Sequence, residues 1–389
     1  MSQLHYVNRK GTNCSKWDAQ TPMFGEENLH AMWVADMDFQ APQCVTKAIQ
    51  DYVDTGVFGY YRAPDSFYNS FIHWERTHHA YAIEKEWIRF SPGVVPAINW
   101  IIQMLTAQGD SILTLTPVYY PFLHAVNNNK RVLITNDLVN TSGIYTIDYA
   151  AFENQIITHH IKLFILCSPH NPVGRVWKKE ELFHLLAICK KHHVYVISDE
   201  IHQDLTFQNH KQYPSATIGD FDSILITLTA ASKTFNLAGF QNSFVILPDK
   251  KLRDIYDEYT TGIRILSGNA LGYIAIQAAY NYGQPWLDEL KDVIYSNYLF
   301  VKETFQQALP NIILSPLEGT YLLWIDFHAY IAPEDMKTFI QGTCKLALDY
   351  GDWFGGDRFA AFARMNLATS RKNVALAVEI IIANLKHQE

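Results

Sequence analysis

Between positions 111 and 247 the chain carries six short, nearly unbroken apolar runs, at 111–115, 131–134, 163–167, 194–197, 223–228 and 244–247. Helical or polar stretches separate them, and 180–191 has the pattern of a crossover helix. Unbroken apolar runs of this length suit strands buried on both faces, as in a largely parallel sheet covered by helices. A sheet with one wet face would alternate instead. The centre of the chain is therefore expected to be an α/β layer structure.

The flanks have a different texture. Residues 42–55 and 66–79 repeat at helical spacing, with a break at Gly56-Val57-Phe58-Gly59-Tyr60-Tyr61 between them. Ser91-Pro92-Gly93-Val94-Val95-Pro96 leads into a helix over 97–105. Beyond Pro285 the pattern predicts a helix over 286–308, strands within 320–327 and 359–367, and a last helix over 371–386. We expect a large domain over 41–285 and a smaller α+β domain over 286–389, with the N-terminal segment 1–40 joining the smaller one.

Composition excludes some classes. Among 389 residues, 39 are acidic and 31 basic, a net charge of −8 that opposes non-specific binding to nucleic acid or an anionic membrane. The five cysteines are scattered, with no CxxC pair, as suits a reducing compartment. Cys167, inside an apolar run, is expected to be a buried small hydrophobe. The start Met1-Ser2-Gln3-Leu4-His5-Tyr6 lacks a basic, then apolar, leader, and no run reaches membrane-spanning length. A soluble cytoplasmic protein is expected. His73, His78 and His79 lack an i, i+4 metal-ligand spacing and are expected on a solvated helix face, so no metal is assigned.

In open α/β sheets, sites form in the loops beyond the carboxyl ends of the strands. The residues after four of the runs are Thr116-Pro117-Val118-Tyr119, Ser168-Pro169-His170-Asn171, Ser198-Asp199-Glu200-Ile201-His202 and Thr229-Ala230-Ala231-Ser232-Lys233. Lys233 has no charged residue within ten positions on either side. A desolvated lysine of this kind can lose its proton and attack a carbonyl. Each residue also has an ordinary reading. Lys233 suits a plain loop, Asp199-Glu200 a helix cap, Asn171-Pro172 a turn and Tyr119 the core. Together, however, they complement one small molecule.

That molecule is pyridoxal 5'-phosphate, which needs a lysine for its aldehyde and a carboxylate to keep its ring nitrogen protonated. Lys233 and Asp199 suit those roles, Asn171 and His202 can donate to the ring oxygen, and Tyr119 can stack on the ring. Gly93, Val94 and Val95 stand at a helix start, where free N–H groups can hold a phosphate. Ser232 and Thr229 can add hydroxyls.

The segments WVADMDF, SPGVVP, SPHNPVGRVW, ISDEIH, SKTFNLAG and FARMNLAT resemble those of the fold-type I, pyridoxal-phosphate-dependent class I/II aminotransferase superfamily. Their combination is similar to the MalY/PatB-type cystathionine β-lyases. WVADMDF, the DEIH run and Trp353-Phe354-Gly355 are the more specific to that branch. The resemblance implies an aspartate aminotransferase-like fold, with Lys233 as the Schiff-base lysine, Asp199 as the pyridinium partner and Asn171 on the ring oxygen. It also implies that Arg364, with Ala35 and Asn171, binds the substrate α-carboxylate region. Tyr60 would reach the cofactor phosphate of a neighbouring subunit in a homodimer with shared active sites. Two departures from the aminotransferase pattern point towards the lyases: Gln241 stands where many aminotransferases have a phosphate-binding arginine, and His202 where tyrosine is common.

The expected reaction is β-elimination from L-cystathionine or a related cysteine S-conjugate, with Lys233 removing the Cα proton. Transamination uses the same residues and stays open, as does a cofactor-bound regulatory protein acting through protein–protein contact.

Overall fold

The computed structural model describes residues 3–386, so the first two residues of segment 1–40 and the last three of 286–389 lie outside the described residues. The central sheet has seven strands, β1 (Ile88–Ser91), β2 (Ser111–Thr116), β3 (Val132–Asp137), β4 (Leu163–Cys167), β5 (Tyr195–Asp199), β6 (Leu225–Thr229) and β7 (Ser243–Ile246). Their spatial order is β1-β7-β6-β5-β4-β2-β3. Strands β2 to β6 pair in parallel, as their apolar runs predict, but β3 stands at the sheet edge and is mostly half-buried or exposed rather than buried on both faces.

The run at 244–247 is the exception, because β7 lies antiparallel to both β6 and β1. Between β6 and β7 there is only the Lys233 turn and a short 3-10 turn, with no crossover helix to return the chain for a parallel pairing. Strand β1 escapes the apolar pattern because its inner two residues are only half-buried.

Alternation along the strands separates two cores. Phe164 and Leu166 of β4 pack with helices Tyr149–His159 and Lys179–Lys191 on one face. Leu163, Ile165 and Cys167 pack with Val94–Leu105, Tyr120–Asn128 and Lys250–Ile263 on the other. Every residue of β4 and β6 is consequently buried, which fixes the height at which their trailing loops emerge.

A second sheet, of four strands, is formed by β8 (Ile313–Leu314), β9 (Leu322–Asp326), β10 (Asp349–Tyr350) and β11 (Phe362–Asn366), in the order β8-β9-β11-β10. All its pairings are antiparallel. Helix Gln284–Ala308 is tied to the end of β11 by Asn297, whose amide donates to the carbonyls of Leu367 and Thr369 at 3.0 Å. The N-terminal segment adds to this layer: residues 30–31 pair in parallel with 346–347, and Asn366 N donates to Met32 O at 2.8 Å. Lys16 and Asp38 form a fully buried ion pair at 2.8 Å, with Trp17 Nε1 donating to the same carboxylate at 3.0 Å.

Helix Asp65–His79 departs from expectation at its end. His79 is buried against Asp204, whereas His73 and His78 are exposed as expected, the ring of His78 lying on Trp74. Among the described residues no helix is long and apolar enough to cross a membrane.

Candidate active site

The loops after β2 and β4 are locked to each other. His170 Nε2 donates to Pro117 O at 2.8 Å, and Tyr119 N donates to Asn171 O at 3.1 Å. Burial depresses His170 to a pKa of about 4, so the ring is neutral and keeps one N–H to donate. Gly174 closes this loop with φ +72°, and a side chain there would press on Pro316 O at 3.2 Å. The next strand end is joined on by Ser168 N, which donates to Asp199 O at 2.9 Å, and Glu200 N reaches Leu228 O at 2.8 Å. Four consecutive strand ends thus deliver Tyr119, Asn171, Asp199 and the Lys233 turn to one place.

They meet at a cavity of about 190 Å³. Its lining contains Ala35, Gly93, Val94, Val95, Tyr119, Asn171, Asp199, His202, Ser232 and Lys233, all expected from the sequence, together with Gln241 and Cys167. Three expected residues do not line it. Thr229 is buried with its hydroxyl directed to Glu200 O at 3.4 Å, and Tyr60 is fully exposed. Arg364 does not line the cavity itself but donates from Nη1 to Asn171 Oδ1 at 2.9 Å.

Burial sets the protonation chemistry. The Lys233 amine, donating to Ala35 O at 2.7 Å, is pushed down to about 8, chiefly by desolvation and against the pull of nearby Asp36. Asp199 is pushed up to about 7 by its burial, although Ile201 N donates to its Oδ1 at 3.1 Å. His202 lies well below the ordinary histidine value through burial and the charges of Lys233 and Arg364. Its Nδ1 is buried without a hydrogen-bond partner among the described residues. At the start of Val94–Leu105, the N–H groups of Val94 and Val95 have no carbonyl one turn back to bond.

Several contributors carry no signal in the local sequence. Asp349 forms a buried ion pair with Arg364, whose Nη2 also reaches Trp33 O at 3.2 Å, and whose Nε has no partner among the described residues. Tyr321 donates to Ala35 O at 2.8 Å, the oxygen that Lys233 also uses. Asn236 clamps the segment from Met37 to Phe39 through three hydrogen bonds of 2.9 to 3.2 Å. Asn366 holds Val34 O and Asp36 O at 2.6 and 2.7 Å. The segment 33–39 is thus tied to β11 and to the Lys233 turn, and its Ala35 lines the cavity.

Comparison with known proteins gives this arrangement a lineage. The chain is 38% identical over 364 residues to cystathionine beta-lyase PatB of Bacillus subtilis (strain 168), covering 93% of this chain and 94% of that protein. A pyridoxal-phosphate-bound structure from Clostridium difficile, provisionally named an aminotransferase, superposes with a TM-score of 0.95 at 40% identity, covering 98% of each chain. The pyridoxal-phosphate-bound C-S lyase from Staphylococcus hominis superposes with a TM-score of 0.92 at 30% identity, covering 98% of this chain and 97% of that one. The family model for aminotransferase class I and II matches residues 32–381, a span that includes every residue lining the cavity. The chain belongs to the aminotransferase class I and II family.

Proposed function

We propose that this chain is a pyridoxal 5'-phosphate enzyme that cleaves the carbon–sulfur bond of L-cystathionine or a related cysteine S-conjugate, giving a thiol, pyruvate and ammonia. The observation that carries the proposal is the meeting of a desolvated lysine, Lys233, and a buried carboxylate, Asp199, across one small cavity. The names of the Bacillus and Staphylococcus relatives support the lyase chemistry.

The donor set fits the cofactor. An amine depressed towards neutrality suits covalent attachment to an aldehyde, and a buried carboxylate suits a protonated ring nitrogen. The orphaned Nδ1 of His202 and the amide NH₂ of Asn171, whose Oδ1 is taken by Arg364, can face ring substituents. Val94 and Val95 N–H, with the Ser232 hydroxyl, can hold a phosphate. When bound, the cofactor supplies an electron-withdrawing ring that stabilises negative charge at Cα of the amino acid.

The chain's own groups do the rest. Arg364, fixed by Asn171 and Asp349, orients the substrate α-carboxylate, with the Ala35 segment as the opposing wall. Tyr119 packs against the ring. Lys233, once free, removes the Cα proton, and its depressed pKa keeps a useful fraction of it unprotonated near neutral pH. The thiolate at Cβ then leaves and takes up a proton to become the thiol, and water hydrolyses the remaining three-carbon enamine to pyruvate and ammonia. We further propose a cytoplasmic homodimer in which the exposed Tyr60 reaches the partner's phosphate site, and a division of the chain at 1–40, 41–285 and 286–389.

Lys233→Ala tests the assignment. Borohydride reduction of the loaded wild type should fix the cofactor covalently to the Lys233 peptide, and the variant should show no such adduct. An adduct that persists in the variant overturns it. Transamination is a second candidate, favoured by the name given to the Clostridium relative, and is distinguished by its need for a 2-oxo acid acceptor.

A further inference from the structure

Behind the Lys233 turn lies a buried polar cluster that the proposed chemistry does not use. Asp204 is enclosed and accepts three hydrogen bonds. Trp74 Nε1 at 2.9 Å and His79 Nε2 at 2.8 Å donate to Oδ1, and Thr234 Oγ1 at 2.6 Å donates to Oδ2. Trp74 and His79 belong to helix Asp65–His79, whereas Thr234 is the residue after Lys233. Beside them Gln203 Nε2 donates to Glu75 Oε1 at 2.5 Å. Glu200 Oε1 accepts from Ser198 Oγ and Ser215 N, each at 2.8 Å.

A buried charged pair is a poor source of stability, because desolvation offsets the attraction and well-packed apolar residues do as well or better. Directed donors around one carboxylate do, however, define a geometry. Asp204 stands on the same stretch as Asp199 and His202, and that stretch is stiffened by Gln203 N to Glu200 O and Leu205 N to His202 O, both 2.9 Å. Thr234 therefore connects the Lys233 turn to the backbone that carries Asp199. Two residues beyond Thr234, Asn236 fastens the same turn to Met37 and Phe39. Both anchors follow Lys233 within three residues and hold its turn from two different segments.

We infer that Asp204 is a positioning residue: held by Trp74 and His79, it anchors Thr234 and so sets where the Lys233 amine stands relative to Asp199. The inference rests on the role proposed for Lys233 above. Asp204 does not line the cavity that Lys233 lines; it acts through Thr234.

The test compares Thr234→Val, which keeps the shape but removes the donor, with Thr234→Ser, which keeps the donor. In the loaded enzyme Thr234→Val should lower kcat towards the about 10²-fold loss that a displacement of about 1 Å brings, with KM little changed. Thr234→Ser should restore most of it. In the cofactor-free chain, the rate of acylation of Lys233 at fixed pH, read by peptide mass spectrometry, should shift in Thr234→Val and return in Thr234→Ser. Wild-type rates of turnover and acylation in Thr234→Val, or no rescue by serine, overturn the inference. Should Thr234→Val not fold, Trp74→Phe removes a different donor to Asp204, and unchanged Lys233 acylation there overturns it equally. If instead the wild type never attaches the cofactor, the proposed function fails, while the acylation comparison still decides the role of Asp204.

Discussion

The Nζ of Lys233 donates to the carbonyl oxygen of Ala35 at 2.7 Å, across 198 positions of sequence, and the Tyr321 hydroxyl meets the same oxygen at 2.8 Å. The amine is therefore held by a neutral acceptor in a desolvated place, and its pKa falls from 10.5 to about 8. Between those values the folded cofactor-free chain binds fewer protons at this site than the unfolded chain, so its contribution to stability rises with pH across that window. Competitive acylation of Lys233 against pH in cofactor-free protein should give a midpoint near 8. A midpoint near 10.5 would contradict the desolvated setting.

Asp199 behaves in the opposite sense. Its folded pKa of about 7 lies above the ordinary 3.8, so between these values the folded chain holds the extra proton. Its contribution to stability is then present at low pH and lost as pH rises through 7. Asp199→Asn should flatten that loss in urea unfolding of cofactor-free protein measured at pH 5 and pH 7.5. In the loaded enzyme the same change should cost about 10²-fold in kcat, as removal of a preorganised electrostatic partner does. A wild-type slope in the variant would mean that Asp199 titrates normally.

Asp38 belongs to the segment whose Ala35 lines the cavity. Removing it leaves the Lys16 ammonium buried and Trp17 Nε1 without its acceptor. Asp38→Ala should therefore destabilise the chain by about 3–5 kcal/mol in urea unfolding. A loss below about 1 kcal/mol would place the pair with ordinary surface ion pairs.

Arg364→Lys keeps the charge and removes the planar fork that bonds Asn171, Trp33 and Asp349 together. We expect KM for the amino acid to rise about ten- to a hundredfold, the worth of a charge-assisted hydrogen bond of about 1.5–3 kcal/mol, with a smaller change in kcat. Steady-state kinetics checks this, and an unchanged KM would remove Arg364 from substrate binding.

Lys233, Asp199, Asn171 and Tyr119 are legible in the sequence because each follows closely on an unbroken apolar run, and the end of the run marks the sheet edge. Arg364 is not legible in that way; its strand, β11, has no such flag, and only the resemblance to the family singled it out. Tyr321 and Asp349 reach the site's residues through packing between distant segments, which no local period encodes. Asp349 lies in a strand of two residues, too short for any pattern. The antiparallel course of β7 is hidden for a related reason: apolar burial reports that a strand is internal, and its direction depends on the connection. His79 looks like a solvated helix residue until Asp204 is packed against it.

The most direct test of the account is a product assay with L-cystathionine and no added 2-oxo acid. The loaded wild type should release pyruvate and free thiol in equal amounts, and Lys233→Ala should release neither. Turnover that appears only when a 2-oxo acid acceptor is supplied, with no thiol released, would contradict the lyase assignment and establish a transaminase.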